Sequence, residues 1–245
     1  MSSEIEQQIN KVRSQIQAAR EEFDMAVLYH EVWKPMAYDV DLHTRMGESL
    51  ASNAFRIIKS ALRREMLLAI GRVWDSVNGA PQLERMAHLL NERAFREKLL
   101  AERIANVKLS PGSAHLPPEF WQQLDEGLEV AMNKSISILN KWSHDGGQNM
   151  VRKRFKALRN QFLAHRQVAL SFSEEDGLSD EEVNEYYNDT SEVIQLLLNL
   201  CLAVTYNPSD TGYVYRKAAE LFWAGARGER TEGHPSFVDS TLDRH

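Results

Sequence analysis

Ser3-Glu-Ile-Glu-Gln-Gln-Ile-Asn-Lys-Val-Arg-Ser-Gln-Ile-Gln-Ala-Ala-Arg-Glu-Glu-Phe-Asp-Met-Ala-Val-Leu-Tyr-His-Glu-Val32 decides the class of fold. Ile5, Ile9, Val12, Ile16, Ala19, Phe23, Ala26 and Val27 return at steps of three and four, the spacing that lines one face of an α-helix. A long first helix is therefore expected. Lys34-Pro35 is expected to end it, because proline lacks the N–H that continues the ladder and restricts the residue before it.

The same period recurs along the rest of the chain. Leu50, Ala54, Ile57, Ile58, Ala61, Leu62, Leu68, Ile70, Val73 and Trp74 carry a second helix from about Gly47 to Val77, closed by Asn78-Gly79 as a left-handed stop. Pro81 opens a third, marked by Leu83, Met86, Leu89, Leu90, Phe95, Leu99, Leu100 and Ile104. Leu109 to Pro118 reads as a surface loop. A fourth helix is expected from Glu119 to about Trp142 and a fifth from Met150 to Val168, with a loop at Ser173 to Gly177. Ser179-Asp-Glu-Glu182 has the capping-box pattern, so a sixth should start there and run to about Tyr206. A short last helix covers Asp210 to Ala226. No stretch alternates apolar and polar residues, and no fixed-period repeat appears. The expectation is an all-α chain: an antiparallel helical bundle with a long N-terminal helix and a short C-terminal one. Residues 1–227 form one domain with its core at about 47–206, and 228–245 form a mobile tail.

Composition narrows the function classes. A chain of 245 residues, 43% of them hydrophobic, can bury a full core. Its single cysteine, Cys201, can form no intramolecular disulfide, which fits a reducing, cytoplasmic setting. The opening residues lack the layout of a secretory signal. The longest apolar run, Val193 to Val204, is broken by Gln195 and Asn199 and falls short of the ~20 residues a membrane span needs. A net charge of −6 opposes coating of nucleic acid along the whole surface, so any such contact must be local.

One segment supplies a local basic patch. Val151-Arg-Lys-Arg-Phe-Lys-Ala-Leu-Arg-Asn-Gln-Phe-Leu-Ala-His-Arg166 gathers six Lys and Arg residues in an acidic chain. A charge run alone reads as a solvated helix face. Here it also holds a histidine that can move protons near neutral pH and arginines that fork onto phosphate. On a helix, Val151, Phe155, Leu158 and Phe162 form one apolar stripe, with His165 at one margin and Arg152, Arg159 and Arg166 at the other. His165 and Arg159 lie roughly 120° apart around the axis and about 9 Å along it, too far to share one phosphate easily. Two copies packed about a two-fold axis would bring Arg159 of one to His165 of the other, so a homodimer is expected.

Arg159-Asn160-Gln-Phe-Leu-Ala-His165 resembles the Arg-polar-x(3–5)-His signature of the HEPN superfamily. Leu158 to Arg166, together with Ala61-Leu-Arg-Arg-Glu-Met-Leu-Leu-Ala-Ile-Gly-Arg-Val-Trp-Asp75, resembles its abortive-infection AbiU-like branch, and the resemblance covers roughly Gly47 to Tyr206. It implies a metal-independent, cofactor-free endoribonuclease, a phage-defence or toxin effector, in which the RNA 2′-OH attacks its own phosphate. His165 would act as general base or acid, Arg159 would stabilise the phosphorane and Asn160 would orient His165 or a phosphate oxygen. Arg152, Lys153, Lys156 and Arg166 would contact RNA, with an antitoxin or defence protein as a further partner. Gln167 stands where a related toxin branch carries the tyrosine through which it is silenced, so that route is not expected here. A non-catalytic RNA- or protein-binding helical module is the alternative, and a plain scaffold whose basic helix pairs with the acidic 173–185 region is a third reading.

Other polar groups read as structural. Asp39-Val-Asp41-Leu-His43 places ligand-type residues in an expected loop with no second cluster, so surface polarity is preferred over a metal site. His88, His115 and His144 are isolated. Arg72 and Asp75 sit at i, i+3 and could pair with each other, with the fifth helix or with a substrate, the structural role being preferred. Tyr186, Tyr187, Tyr206, Tyr213, Tyr215 and Trp223 are read as core or interface before base-stacking platforms.

Overall fold

The protein's structure, a computed structural model, describes residues 2–47, 49–75, 83–164 and 178–239. Among the described residues there are nine α-helices, one 3-10 turn at Ser113–His115 and no strand. The helices are α1 (Ser2–Tyr38), α2 (Val40–Gly47), α3 (Ser52–Val73), α4 (Leu83–Asn91), α5 (Arg93–Lys108), α6 (Pro118–Lys141), α7 (Asn149–Ala164), α8 (Asp180–Leu202) and α9 (Pro208–Gly225). No described helix is long and apolar enough to cross a membrane. The all-α expectation is met; α3 starts at Ser52 rather than about Gly47, α8 ends at Leu202 rather than about Tyr206, and three larger differences have identifiable causes.

The first difference is Pro35, which lies inside α1 rather than at its end. A proline within a helix costs about 3 kcal/mol. Trp33 and Met36, 1% and 0% exposed, flank it, and burying such side chains contributes roughly 1.5–3 kcal/mol each. Tertiary burial therefore outweighs the local penalty. The second is residues 39–43, expected as a loop. Asp39 instead caps α2, its Oδ1 accepting from Leu42 N at 3.0 Å and its carbonyl from His43 N at 3.0 Å. The third is that the helix expected over residues 81–104 is divided at Glu92, which takes an extended conformation with φ −71° and ψ 118°.

The described chain packs as two compact units. The first comprises residues 2–23, 69–75, 83–164 and 178–207. The α1 stripe of Ile9, Val12, Ile16, Ala19 and Phe23 is buried there. α6 packs along α8 and α4, and α5 along α8. α8 begins with the expected capping box: Ser179 Oγ accepts from Glu182 N at 3.2 Å, and Glu182 Oε2 accepts from Ser179 N at 3.0 Å.

An aromatic cluster joins four elements of this unit. Tyr186 of α8 lies 4.3 Å from Phe155, 4.5 Å from Trp142 and 5.8 Å from Trp74 between ring centroids, within the range where aromatic pairs attract. Trp74 Nε1 donates to Thr190 Oγ1 at 2.8 Å, and Trp142 Nε1 to Asp189 Oδ2 at 2.7 Å. Each indole is thus fixed at both its face and its polar edge. The turn from α6 into α7 is equally constrained: a Cβ on Gly146 would stand 2.1 Å from the Asn140 carbonyl oxygen. Only glycine allows the backbone to pass so closely there.

The second unit comprises residues 24–47, 49–68 and 208–239. Met36, Leu42, Met46, Phe55, Ala219 and Trp223 form its core. Phe55 meets Trp223 edge to face at 5.5 Å, and Arg45 Nη2 donates to the Trp223 carbonyl at 3.1 Å. Glu31, 6% exposed, pairs with Arg216 at 2.6 Å.

Candidate functional site

α7 is amphipathic as its sequence indicates. Val151, Phe155 and Leu158 are buried, while Lys153, Lys156 and Asn160 are exposed. Arg159 follows Leu158 by one residue, about 100° around the helix, so it emerges at the edge of the buried stripe. There it meets the end of α3. Arg159 Nη1 donates to Asp75 Oδ2 at 2.6 Å, with only 14% and 18% of the two side chains exposed. Nη2 donates to Asn160 Oδ1 at 3.3 Å. Nε is buried and finds no acceptor among the described residues.

Arg152 lies seven residues, two turns, before Arg159 and on the same margin. Its Nη1 donates to the Trp142 carbonyl at 2.9 Å and its Nη2 to the Trp74 carbonyl at 3.4 Å. One guanidinium therefore ties the ends of α6 and α3 to α7. Arg152, Lys156 and Arg159 line a cleft of about 30 Å³ with Trp74, Asp75 and Tyr186. That volume corresponds to roughly one water molecule. Burial raises the Tyr186 hydroxyl's pKa, and the charges of Arg152 and Arg159 only partly oppose this. The ring remains a neutral phenol at physiological pH.

The other basic residues divide into two groups. Arg154 pairs with Glu182, the kind of contact between the basic helix and the acidic 173–185 region expected of a scaffold. The Glu182 carboxyl is held below its usual pKa first by the Ser179 backbone N–H and then by Arg154. Lys153 and Lys156 are exposed with no carboxylate partner among the described residues. His165 and Arg166 lie outside the described residues. So the structure brings Arg152, Lys156, Arg159 and Asn160 together, and Lys153 stands on the exposed side of the same helix.

Arg72 Nε pairs with Glu22 at 2.7 Å, and Asp75 pairs with Arg159. The alternative with α7 as partner is the one realised for Asp75. Sequence reasoning did not single out Trp74 and Tyr186 as walls of this cleft; their signal was aromatic residues at core positions of two helices. His88, His115 and His144 are exposed and Tyr186, Tyr187, Tyr206 and Trp223 are buried, as their structural readings expected, whereas Tyr213 is exposed and Tyr215 half-buried.

The described residues form an all-α bundle, the fold class of a HEPN domain. A family model described as AbiU2 matches residues 9–222, and the chain belongs to this abortive-infection-related family of HEPN domains. No curated protein and no solved structure matches it.

Proposed function

We propose that the chain is a metal-independent endoribonuclease of the HEPN type that acts as an abortive-infection or toxin effector. The supporting observation is the setting of Arg159: its side chain is largely buried, clamped by Asp75 at 2.6 Å and followed by Asn160, with Lys156 in the same cleft. A guanidinium held in this way is preorganised for a phosphate, and stabilisation by fixed charge requires such preorganisation.

The reaction consistent with these groups is transesterification. A base removes the proton of an RNA 2′-OH, the 2′-oxygen attacks the adjacent phosphorus, and the P–O5′ bond breaks as an acid protonates the leaving oxygen. The products are a 2′,3′-cyclic phosphate and a 5′-OH. His165 is the base or acid, Arg159 balances phosphorane charge and Asn160 orients Arg159 through Oδ1. Lys153, Lys156 and Arg166 neutralise flanking phosphates, while Arg152 supports the cleft through its two carbonyl contacts. A homodimer with its axis near α7 supplies His165 of one copy to Arg159 of the other.

The experiment is incubation of the purified chain with total RNA in EDTA, beside His165→Ala. Cutting by the wild type and not by the variant supports the reading. Equal cutting by both, or a requirement for divalent ions, rejects it. A second reading, RNA or protein binding without cleavage, is favoured by the engagement of Arg159 with Asp75 and by the small volume beside it; binding of RNA without any product is its signature.

A further inference from the structure

A second and wider concavity, about 230 Å³, lies in the first unit among α1, α5 and the end of α8. Arg13, Arg103, Asn106 and the 200–203 turn line it. Arg13 is fully committed: Nε donates to the Cys201 carbonyl at 2.9 Å, Nη2 pairs with Glu102 at 3.1 Å, and Nη1 reaches Asn10 Oδ1 at 3.4 Å. Arg103 is not. Its Nε donates to the Asn199 carbonyl at 3.1 Å, which with Arg13 accounts for two cations at the negative end of α8.

Helix capping uses one N–H of Arg103 and leaves the rest of the fork. Nη1 and Nη2 find no acceptor among the described residues. The neighbouring carboxylate, Glu102, is taken by Arg13 and Lys98. Partial burial lowers the pKa of Arg103, with no carboxylate opposing it. In a chain of net charge −6, Arg103 therefore presents a half-buried guanidinium with no carboxylate partner among the described residues. Asn106 lies one turn further along α5 on the same face, exposed, its amide also without a partner among the described residues. The facing wall carries Leu200, Leu202 and Ala203. Burial pushes the Cys201 thiol up to about 12, so the wall offers no nucleophile and the site can bind without reacting.

We propose that this concavity is a binding site for a small organic oxyanion, a phosphate monoester or a carboxylate. The Arg103 fork takes two of its oxygens, the geometry for which guanidinium is suited. The Asn106 amide donates to the same group, and the carbon skeleton lies on the apolar wall. The volume is below the ~300 Å³ at which drug-sized pockets begin. It suits one ring and its anionic substituent rather than a nucleic-acid strand, which separates this site from the Arg159 cleft.

Titration calorimetry of the full chain with phenyl phosphate, benzoate and neutral benzamide tests the proposal. At least one of the two anions should bind saturably with one site per chain, and benzamide should bind at least tenfold more weakly. The tighter anion identifies the headgroup. Because Arg103 also caps α8, the decisive variant is Asn106→Asp, which places a negative charge at an exposed position. It should lose at least tenfold in anion affinity with its circular dichroism spectrum unchanged, Arg103→Gln should lose as much, and Arg159→Lys should bind as the wild type does. The proposal is overturned if neither anion binds at millimolar concentration, if benzamide binds as well as the anions, or if Asn106→Asp leaves affinity unchanged.

Discussion

Arg159 of α7 and Asp75, two residues past the end of α3 and 84 residues away in the chain, meet at 2.6 Å. The contact makes the proposed phosphate-binding arginine dependent on a carboxylate outside its own motif. Removing one partner of a largely buried pair leaves the other charge desolvated and alone, whereas replacing both with apolar groups restores most of the stability.

Asp75→Asn should therefore lower stability by about 1–2 kcal/mol, less than for a fully buried pair because both side chains keep some solvent access. The double variant Asp75→Asn, Arg159→Met should lose less than the sum of the two single variants. Urea denaturation of all four proteins measures this, and strict additivity would mean that the pair contributes nothing. If the chain cuts RNA, Asp75→Asn should also slow cutting by up to about 10²-fold, the scale of a small misplacement of a catalytic group.

His165→Ala should abolish detectable cleavage with the fold retained, because a positioned acid or base contributes about 10²–10⁴-fold. Arg159→Lys keeps the charge but loses the planar fork, and should be severely impaired as well. DNA and 2′-methoxy RNA should resist, since neither offers the attacking hydroxyl. Product analysis for a 2′,3′-cyclic phosphate checks the chemistry directly.

Sequence patterns revealed the features whose causes are close together in the chain. The α8 capping box was legible because Ser179 and Glu182 complete it within one turn. The buried stripe of Val151, Phe155 and Leu158 was legible because one helix repeats it. The continuation of α1 through Pro35 is not legible in the sequence because local backbone chemistry favours a stop, and the burial of Trp33 and Met36 that outweighs it comes from other elements. Residues 39–43 are expected as a loop because α2 is only 8 residues long, too short to establish a period, while Asp39 itself is exposed, as a surface residue should be. The pairing of Asp75 with Arg159 was one of three open alternatives, since sequence spacing gives no measure of a contact between distant segments.

Lys153→Ala and Lys156→Ala should each weaken RNA binding across sequences and reduce its dependence on salt, because each exposed lysine releases counter-ions when it meets a phosphate. Arg152→Ala should behave differently. Its guanidinium is spent on the carbonyls of Trp142 and Trp74, so its loss should appear mainly as lower stability, by about 1–3 kcal/mol for buried acceptors left unsatisfied. Fluorescence anisotropy at several salt concentrations, set beside thermal melts, separates the two behaviours. A salt slope in Arg152→Ala reduced as much as in Lys153→Ala would place Arg152 on the RNA instead.

Burial tends to raise the pKa of Glu31, but His30, in contact at 3.4 Å, and the hydrogen bond and charge of Arg216 outweigh it and hold the carboxyl at about 2, against 4.5 for the free group. A folded-state pKa below the unfolded one means that the unfolded chain binds the proton more tightly. The contribution of Glu31 to stability is therefore complete above about 4.5 and is lost as pH falls from there towards 2. Glu31→Gln keeps the shape and removes the titration, so its stability should change less with pH across that window than the wild type's. Arg216→Ala removes one of the two stabilising partners and should shift the wild-type acid transition to higher pH. Its removal leaves a buried carboxylate with less compensation. Chemical denaturation at half-unit pH intervals between 2 and 6 measures both. Parallel curves for wild type and Glu31→Gln would show that the carboxyl titrates alike in the folded and unfolded chains, and that its contacts with Arg216 and His30 do not bias the proton.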